Sequence, residues 1–422
     1  MSKVLPAKGF RDFAPGVKRR KEELLAAIRA CYLRYGFDEI ETPVAEPIER
    51  LRGSEGGENL AMIFEIMQRG LTAEDLRKAQ SPAELTDLGL RYDLTVPLAR
   101  YYATNHAELP PVFRAIQIGP VWRAEKPQKG RYRQFTQCDI DILGEPSALA
   151  EIELIVATLE ALRDIGLSDA TVRINDRRFL DALISSAGLG ADAKAKALIL
   201  IDKLDKVGLD GVIASLAQAF PGGAGEKLGA TLGAFAAPAG ISIDQFLERV
   251  PSCDAKAVED HRAIVTAVRA VAGEGAITFD PTLVRGLGYY TGPIFEVRHP
   301  ASRGSVGGGG RYDNMIGTFL GESVPASGFS LGFDRLLEII AELPASGGAS
   351  ADRVGLIYED TDTPASVIAR QQTLMGQGLS VRLVRSARNK QRMFDELLRA
   401  GYGRVQRMAD DASTFRDLGG NS

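Results

Sequence analysis

The stretch VWRAEKPQKGRYRQFTQCDIDILG, Val121 to Gly144, decides the fold. In its second half alternate residues Phe135, Gln137, Asp139 and Asp141 fall on one face of an extended strand, and Cys138, Ile140 and Ile142 fall on the other. One face is apolar and the other carries hydrogen-bond acceptors. Just upstream, FRAIQIGPVW (Phe113 to Trp122) is a second strand-like run, and the short polar loop between the two runs predicts an antiparallel hairpin. That loop, Trp122 to Tyr132, holds Arg123, Lys126, Lys129 and Arg131, with Arg133 just beyond, against Glu125 as its one acid. Guanidinium forks match phosphate oxygens, so a hairpin tip with this balance is suited to a polyphosphate.

Toward the N-terminus, Leu24, Leu25, Ile28, Cys31 and Tyr32 recur at helical spacing before Gly36, and FDEIETP then reads as extended. Toward the C-terminus, a second amphipathic helix is expected from about Ser147 to Arg163, stopped at Gly166. Residues 173–275 are rich in Ala, Gly and Leu with helical pairing, which predicts a helical domain inserted into a sheet that resumes near Thr278. In the resumed part, LVRGLGYYTGPIFEV (Leu283 to Val297) places Arg285 and two tyrosines ahead of a strand. SVGGGGRYDN (Ser305 to Asn314) invites close backbone approach. ASGFSLGFDRLLEII (Ala326 to Ile340) is a strand turning into a helix with Arg335 in its first turn, where the helix dipole favours an anion. AELPASGGASAD is a linker by composition, and VGLIYED, a helix around Ile368 to Met375, and LSVRLVR begin a small α/β domain. The expected division is 1–172 and 276–342 for one α+β core, 173–275 for the insertion, 343–352 for the linker and 353–422 for the last domain.

Composition narrows the function. Fifty-one Lys and Arg against 55 Asp and Glu leave a net charge of −4, which argues against wholesale coating of nucleic acid. Three cysteines at wide spacings predict neither a disulfide framework nor a zinc ribbon, and they fit a reducing cytoplasm. The opening residues lack the apolar stretch of a signal peptide, and no run approaches the roughly 20 apolar residues of a membrane span. With only His106, His261 and His299, a multi-histidine metal centre or a Ser/His/Asp triad has little raw material.

Taken jointly and in order, these segments resemble the histidyl-tRNA synthetases, a class II aminoacyl-tRNA synthetase family, over almost the whole chain. The resemblance rests on KGFRDFAP, on YGFDEIETPVAEP around Pro43 as the first class II motif, and on LRYDLTVPLARYY. It rests equally on VWRAEKPQKGRYRQFTQCDIDILG as the second motif, LVRGLGYYTGPIFEV and GGGRYD, and SGFSLGFDRL as the third motif. It implies an antiparallel six- or seven-stranded sheet flanked by helices, dimerising through the first motif into a homodimer, with a C-terminal α/β anticodon-binding domain. It also implies a histidine–tRNA ligase: L-histidine and ATP give histidyl-adenylate with Mg²⁺, and the histidyl group passes to the 3′-terminal adenosine of tRNA(His).

By the same resemblance, Arg123 clamps the α-phosphate and the substrate carboxylate, Arg131 and Arg335 hold the bent β,γ-phosphates, and Arg285 is a further catalytic arginine in contact with histidine. Glu125 sits by the adenine. Asp93, Thr95 and Gln137 take the α-ammonium, and Asp141, Tyr289 and Tyr290 surround the imidazole. No magnesium ligand is identified at this level. The rival is a paralogue that kept the fold and lost the reaction, the regulatory subunit of ATP phosphoribosyltransferase, which typically disrupts the phosphate arginines. Three departures mark this chain: Gly288 where the family usually has aspartate, a long stretch between Ile48 and Arg91, and a short final domain. Residues 382–407 nevertheless hold eight basic side chains against Asp395 and Glu396, which favours contact with tRNA.

Overall fold

The computed structural model describes residues 4–53, 60–127, 130–235, 241–286, 288–302, 304–342, 350–411 and 413–418. Lys129 and most of the expected linker 343–352 lie outside them. The strands are β1 (Asp38–Glu39), β2 (Ala45–Pro47), β3 (Phe64–Met67), β4 (Thr86–Leu90), β5 (Phe113–Trp122), β6 (Gln134–Leu143), β7 (Thr171–Asp176), β8 (Ile277–Phe279), β9 (Pro293–Arg298), β10 (Gly307–Arg311), β11 (Ala326–Gly332), β12 (Ser350–Tyr358), β13 (Ser380–Arg385), β14 (Tyr402–Arg407) and β15 (Arg416–Asp417). Two compact units arise, one from residues 1–11 with 25–340 and the other from 12–24 with 341–422.

The first unit is built on an eight-stranded sheet in the order β1-β5-β6-β11-β10-β9-β7-β8. The expected hairpin is present, β5 and β6 pairing antiparallel from Phe113 opposite Leu143 to Trp122 opposite Gln134. Every neighbouring pair is antiparallel except β1 with β5 and β7 with β8. Eight strands exceed the expected six or seven because these two short parallel strands extend both edges. β7 carries the sheet to Asp176, helices occupy 177–235 and 243–272, and β8 then rejoins β7, so the insertion leaves and re-enters at one sheet edge. Its helices share an apolar core around Phe179, Leu183, Leu216, Leu228 and Phe246.

Register sorts the two faces. Ile116, Ile140, Phe329, Gly309, Phe295 and Ile174 form one row across the sheet, and this apolar side is covered by the helix Leu149–Asp164. The opposite face has a row of Gln117, Asp139, Ser330, Gly308, Glu296 and Arg173, and a row of Ala115, Asp141, Gly328, Gly310, Ile294 and Asn175. Glycines at adjacent strands leave a hollow floor on this polar side. The covering helix is tied to the sheet by a buried bidentate pair, Arg311 Nε to Glu151 Oε1 at 2.9 Å and Nη2 to Oε2 at 3.0 Å. Removing Glu151 leaves the buried Arg311, among the described residues, with only Asp313 at 3.4 Å and the carbonyls of Glu145 and Ser147 to offset its charge. Glu151→Ala should therefore cost about 3–5 kcal/mol, read as a lowered unfolding midpoint; an unchanged midpoint would show that Arg311 has found other partners.

β2, β4 and β3 form a separate three-stranded sheet, and the long stretch that joins β3 to β4 contains the short helix Ala73–Lys78. Thr72 and Asp75 cap that helix reciprocally, and none of its side chains is buried. In the second unit β12 pairs parallel with β13 and β14, and β15 adds antiparallel to β14. The helix Lys390–Arg399 buries Met393, Phe394 and Leu397 against Ile357 and Val405. Arg382, Arg385, Arg388, Lys390, Arg392 and Arg399 are left exposed. Among the described residues, no helix is long and apolar enough to cross a membrane.

Candidate active site

The polar face of the eight-stranded sheet gathers nearly every side chain singled out in the sequence. Arg123 follows β5 at the start of the hairpin loop, donates from Nε to Tyr92 O at 3.0 Å, and lies 5.1 Å over the Phe135 ring. Arg335 leaves the first turn of the helix Phe333–Glu342 and donates to Ser305 O at 2.5 Å and Gly130 O at 3.4 Å. Burial, and then the charges of Arg131, Arg123 and Arg285, hold its guanidinium below the ordinary arginine range, with Glu125 opposing. Arg335 thus feels three arginines from two other segments, and it shares Ser305 with one of them, Arg285. Arg131 reaches Glu125 at 3.7 Å, and Arg285 is held by Glu296 Oε2 at 2.7 Å and Ser305 Oγ at 3.1 Å.

Beside them lies a buried acidic pocket. Burial pushes Asp93 up to about 6 despite backbone donors from Val96 and Thr95 and the Arg123 charge. Asp141 is pushed up to about 7, chiefly by burial, against a 2.5 Å hydrogen bond donated by the Tyr312 hydroxyl, with the Asp93 charge adding to the rise. Asp139 is likewise raised, first by burial and then by the charge of its neighbour Asp141. Gln137 donates through Nε2 to Ser330 Oγ at 2.5 Å, while its Oε1 is buried and lacks a hydrogen-bond partner. Buried orphaned acceptors are uncommon, and this one sits among carboxylates where a cationic donor is wanted. Tyr289 and Tyr290 stand with ring centroids 4.3 Å apart, and Tyr289 is 6.3 Å from Tyr312.

Local sequence explains the positions. Gly286 adopts φ +53°, and a Cβ there would lie 2.2 Å from the Tyr290 ring, so the turn that presents the tyrosines requires glycine. A Cβ on Gly308 would come within 2.6 Å of the Arg285 guanidinium, and one on Gly328 within 1.9 Å of Asp141 Oδ1. The glycine cluster is therefore the floor on which Arg285 and Asp141 rest. Thr95 opens the helix Thr95–Asn105 two residues after Asp93, with Leu94 as its N-cap. Arg91 pins this segment by donating to Thr42 O at 2.7 Å and Pro120 O at 3.0 Å. Gly288 is exposed in the turn before Tyr289.

One reading of the sequence changes. Arg133, counted with the phosphate-binding cations, instead donates from Nε to Glu125 O at 3.1 Å and from its backbone to Gly9 O at 2.8 Å, so it braces the loop rather than facing the other arginines. Three further residues take part in the site: Tyr312 bonds Asp141, Glu296 holds Arg285 and Ser330 accepts from Gln137. The one available signal was an acid, Glu296, in the otherwise apolar run PIFEV; Tyr312 and Ser330 acquire meaning only once β10 and β11 lie beside β6.

The family model described as histidyl-tRNA synthetase matches residues 9–336. A histidine–tRNA ligase of Leifsonia xyli subsp. xyli is 48% identical over 410 residues, covering 95% of this chain and 94% of that one. The crystal structure of histidyl-tRNA synthetase from Nostoc sp. PCC 7120 superposes with a TM-score of 0.76 at 27% identity, covering 96% and 91% of the two chains. An ATP phosphoribosyltransferase regulatory subunit/histidyl-tRNA synthetase from Bacillus halodurans shares the fold, with a TM-score of 0.74 at 19% identity over 96% and 98%. Matched by the family model over most of its length and by a relative nearly half identical, the chain belongs to the histidyl-tRNA synthetase family.

Proposed function

We propose that the polar face joins L-histidine to ATP and passes the histidyl group to tRNA(His). The observation that carries this is the convergence of Arg123, Arg131, Arg285 and Arg335, cations whose mutual repulsion a polyphosphate relieves. Arg131 and Arg335 hold the β,γ-phosphates, Arg123 the α-phosphate and the substrate carboxylate, and Glu125 the nucleotide beside the adenine. The orphaned Gln137 Oε1, with Asp93 and the Thr95 segment, takes the α-ammonium. Asp141, Tyr289 and Tyr290 surround the imidazole. A regulatory paralogue that binds histidine without activating it has no use for four converging phosphate ligands.

The histidine carboxylate is already ionised at neutral pH, so it attacks the α-phosphorus without a protein base. A carboxylate O–P bond forms, the bond from the α-phosphorus to the bridging oxygen breaks, and pyrophosphate leaves. The arginines neutralise charge that gathers on the five-coordinate phosphorus and hold the reactants in line. In the second step a terminal hydroxyl of the tRNA attacks the acyl carbon, the bond from that carbon to the phosphate oxygen breaks, AMP leaves and the hydroxyl proton is lost to solvent. The donor set fits an Mg²⁺ carried in on the nucleotide, because Glu296 is taken up by Arg173, Arg285 and Arg298 while Glu125 can offer a single carboxylate. Mg²⁺ would add neutralising charge at the phosphates.

The exposed Val44, Met67 and Leu88 on and beside the small sheet support a homodimer through the first motif, and the exposed arginines of the second unit support tRNA contact. Histidine-dependent ATP–pyrophosphate exchange, run beside the other amino acids, tests the reading. Exchange with histidine alone supports it, and histidine binding without exchange would favour the regulatory paralogue.

A pH dependence follows from the acids. Their raised pKa values mean that a bound ammonium or ring N–H, which prefers the ionised carboxylate, must release protons. Histidine should bind more tightly as pH rises, by up to about tenfold per unit for each proton released, levelling above pH 7. The ligand imidazole titrates near 6.5 on its own, so calorimetry on Asp141→Asn separates the two: the part of the slope due to Asp141 should disappear.

A further inference from the structure

The segment Lys8–Arg11 plays no part in the chemistry described above, yet it touches both elements that carry the β,γ-phosphate arginines. The Arg11 guanidinium lies 3.8 Å over the ring of Tyr132, the residue after Arg131. The same guanidinium is ion-paired with Asp334, the residue before Arg335, and reaches Glu338 Oε1 at 3.7 Å one turn further along that helix. Tyr132 closes the figure by donating its hydroxyl to Glu338 Oε1 at 2.8 Å. Asp334 in turn accepts from the backbone N–H of Thr136 at 2.6 Å, at the start of β6 and beside Gln137.

The strap is itself seated on the loop. Gly9 O accepts from the Arg133 backbone at 2.8 Å, and Arg133 Nη1 donates to Lys8 O at 3.4 Å. Gly9 has φ +88°, and a Cβ there would fall 2.8 Å from Arg133 Cγ, so the close approach needs glycine at this point. On the other side of the loop, Arg335 Nε donates to Gly130 O at 3.4 Å. The loop bearing Arg131 is thus gripped between the strap and the helix bearing Arg335.

We propose that Arg11 is a positioning residue for the triphosphate: by clamping Tyr132, Asp334 and Glu338 together it fixes the separation of Arg131 and Arg335, and with it the grip on the β,γ-phosphates. This rests on the assignment of those two arginines to the phosphates. Two long cations that repel one another stay apart unless their backbones are held, and a misplacement of about 1 Å in such a constellation costs up to about a hundredfold. The stack on Tyr132 uses the planar face of the guanidinium while its edge pairs with Asp334, so lysine can restore the ion pair but not the stack, and with it only part of the clamp.

The test measures binding of ATP, AMP and histidine to the full chain carrying Arg11→Gln, Arg11→Lys or Tyr132→Phe, with Arg131→Ala and Arg335→Ala alongside. Arg11→Gln should weaken ATP about tenfold or more while AMP and histidine stay within about twofold, and Arg11→Lys should recover part of the loss. Tyr132→Phe, which keeps the ring and loses the Glu338 bond, should show a smaller loss confined to ATP, and it serves if Arg11→Gln does not fold. Unchanged ATP affinity in the Arg11 variants, with Arg131→Ala and Arg335→Ala both weakened, would overturn the clamp and leave the phosphate assignment standing. Equal weakening of all three ligands would overturn it as well, by reducing Arg11 to general support of the fold. Normal ATP affinity in Arg131→Ala and Arg335→Ala would locate the failure in the phosphate assignment instead.

Discussion

Arg285→Ala should slow histidyl-adenylate formation by about two to three orders of magnitude in rapid-quench measurements, with the unfolding midpoint little changed. The side chain is part-exposed, and its buried partner Glu296 keeps Arg173 and Arg298, so its removal leaves neither a cavity in the core nor an unpaired buried charge. What it removes is a cation held by Glu296 and Ser305 against the floor of β10, aimed into the arginine cluster. Preorganised charge of this kind acts where charge develops, and it needs no rearrangement as the reaction proceeds. Glu296→Gln should reproduce a smaller part of the loss, because it loosens Arg285 without deleting it. Adenylate formation at the normal rate in Arg285→Ala would take that residue out of the mechanism.

Gly328→Ala is expected to be nearly as damaging through a single methyl group, raising the KM for histidine by about a hundredfold. The added carbon would lie 1.9 Å from Asp141 Oδ1, 2.8 Å from its Cγ and 3.2 Å from Tyr312 Cε1. Gly328 sits mid-strand, opposite both Asp141 and Gly310, so the backbone cannot swing aside without breaking the ladders on either side. Asp141 has to move instead, and its bond from Tyr312 goes with it. A site built on hydrogen bonds loses far more from such a displacement than one built on shape. The KM for ATP should change much less, since Arg285 rests on Gly308 in the neighbouring row and Arg123, Arg131 and Arg335 come from beyond the strand ends; a parallel rise in both KM values would mean that the strand itself had shifted.

These two variants mark what could be read from the chain without its fold. Arg285 was legible because a cation beside glycines, ahead of an alternating strand, is a local pattern, and its membership in a wider ordered set of motifs gave it meaning. Gly328 was not legible. Its importance comes from Asp141 across the β6–β11 pair, nearly two hundred residues away in sequence, and nothing in ASGFSLG records that neighbour. Arg133 shows the opposite failure: composition alone grouped it with the phosphate cations, while the fold gives it to Gly9, Lys8 and Glu125 as a brace.

The sequence by itself determined the hairpin of β5 and β6, the polar and apolar faces of β6, the helix stops at Gly36 and Gly166, and the family, because alternation, helix-ending glycines and motif order are written within a few residues of one another. The tertiary structure alone decided that the glycines of β10 and β11 form a floor, that Tyr312 and Glu296 hold Asp141 and Arg285, and that Arg11 ties the segment bearing Arg131 to the helix bearing Arg335. Those are pairings between residues far apart in the chain, set by strand register and packing, and a pattern confined to neighbouring residues carries no information about which distant partner the fold will supply.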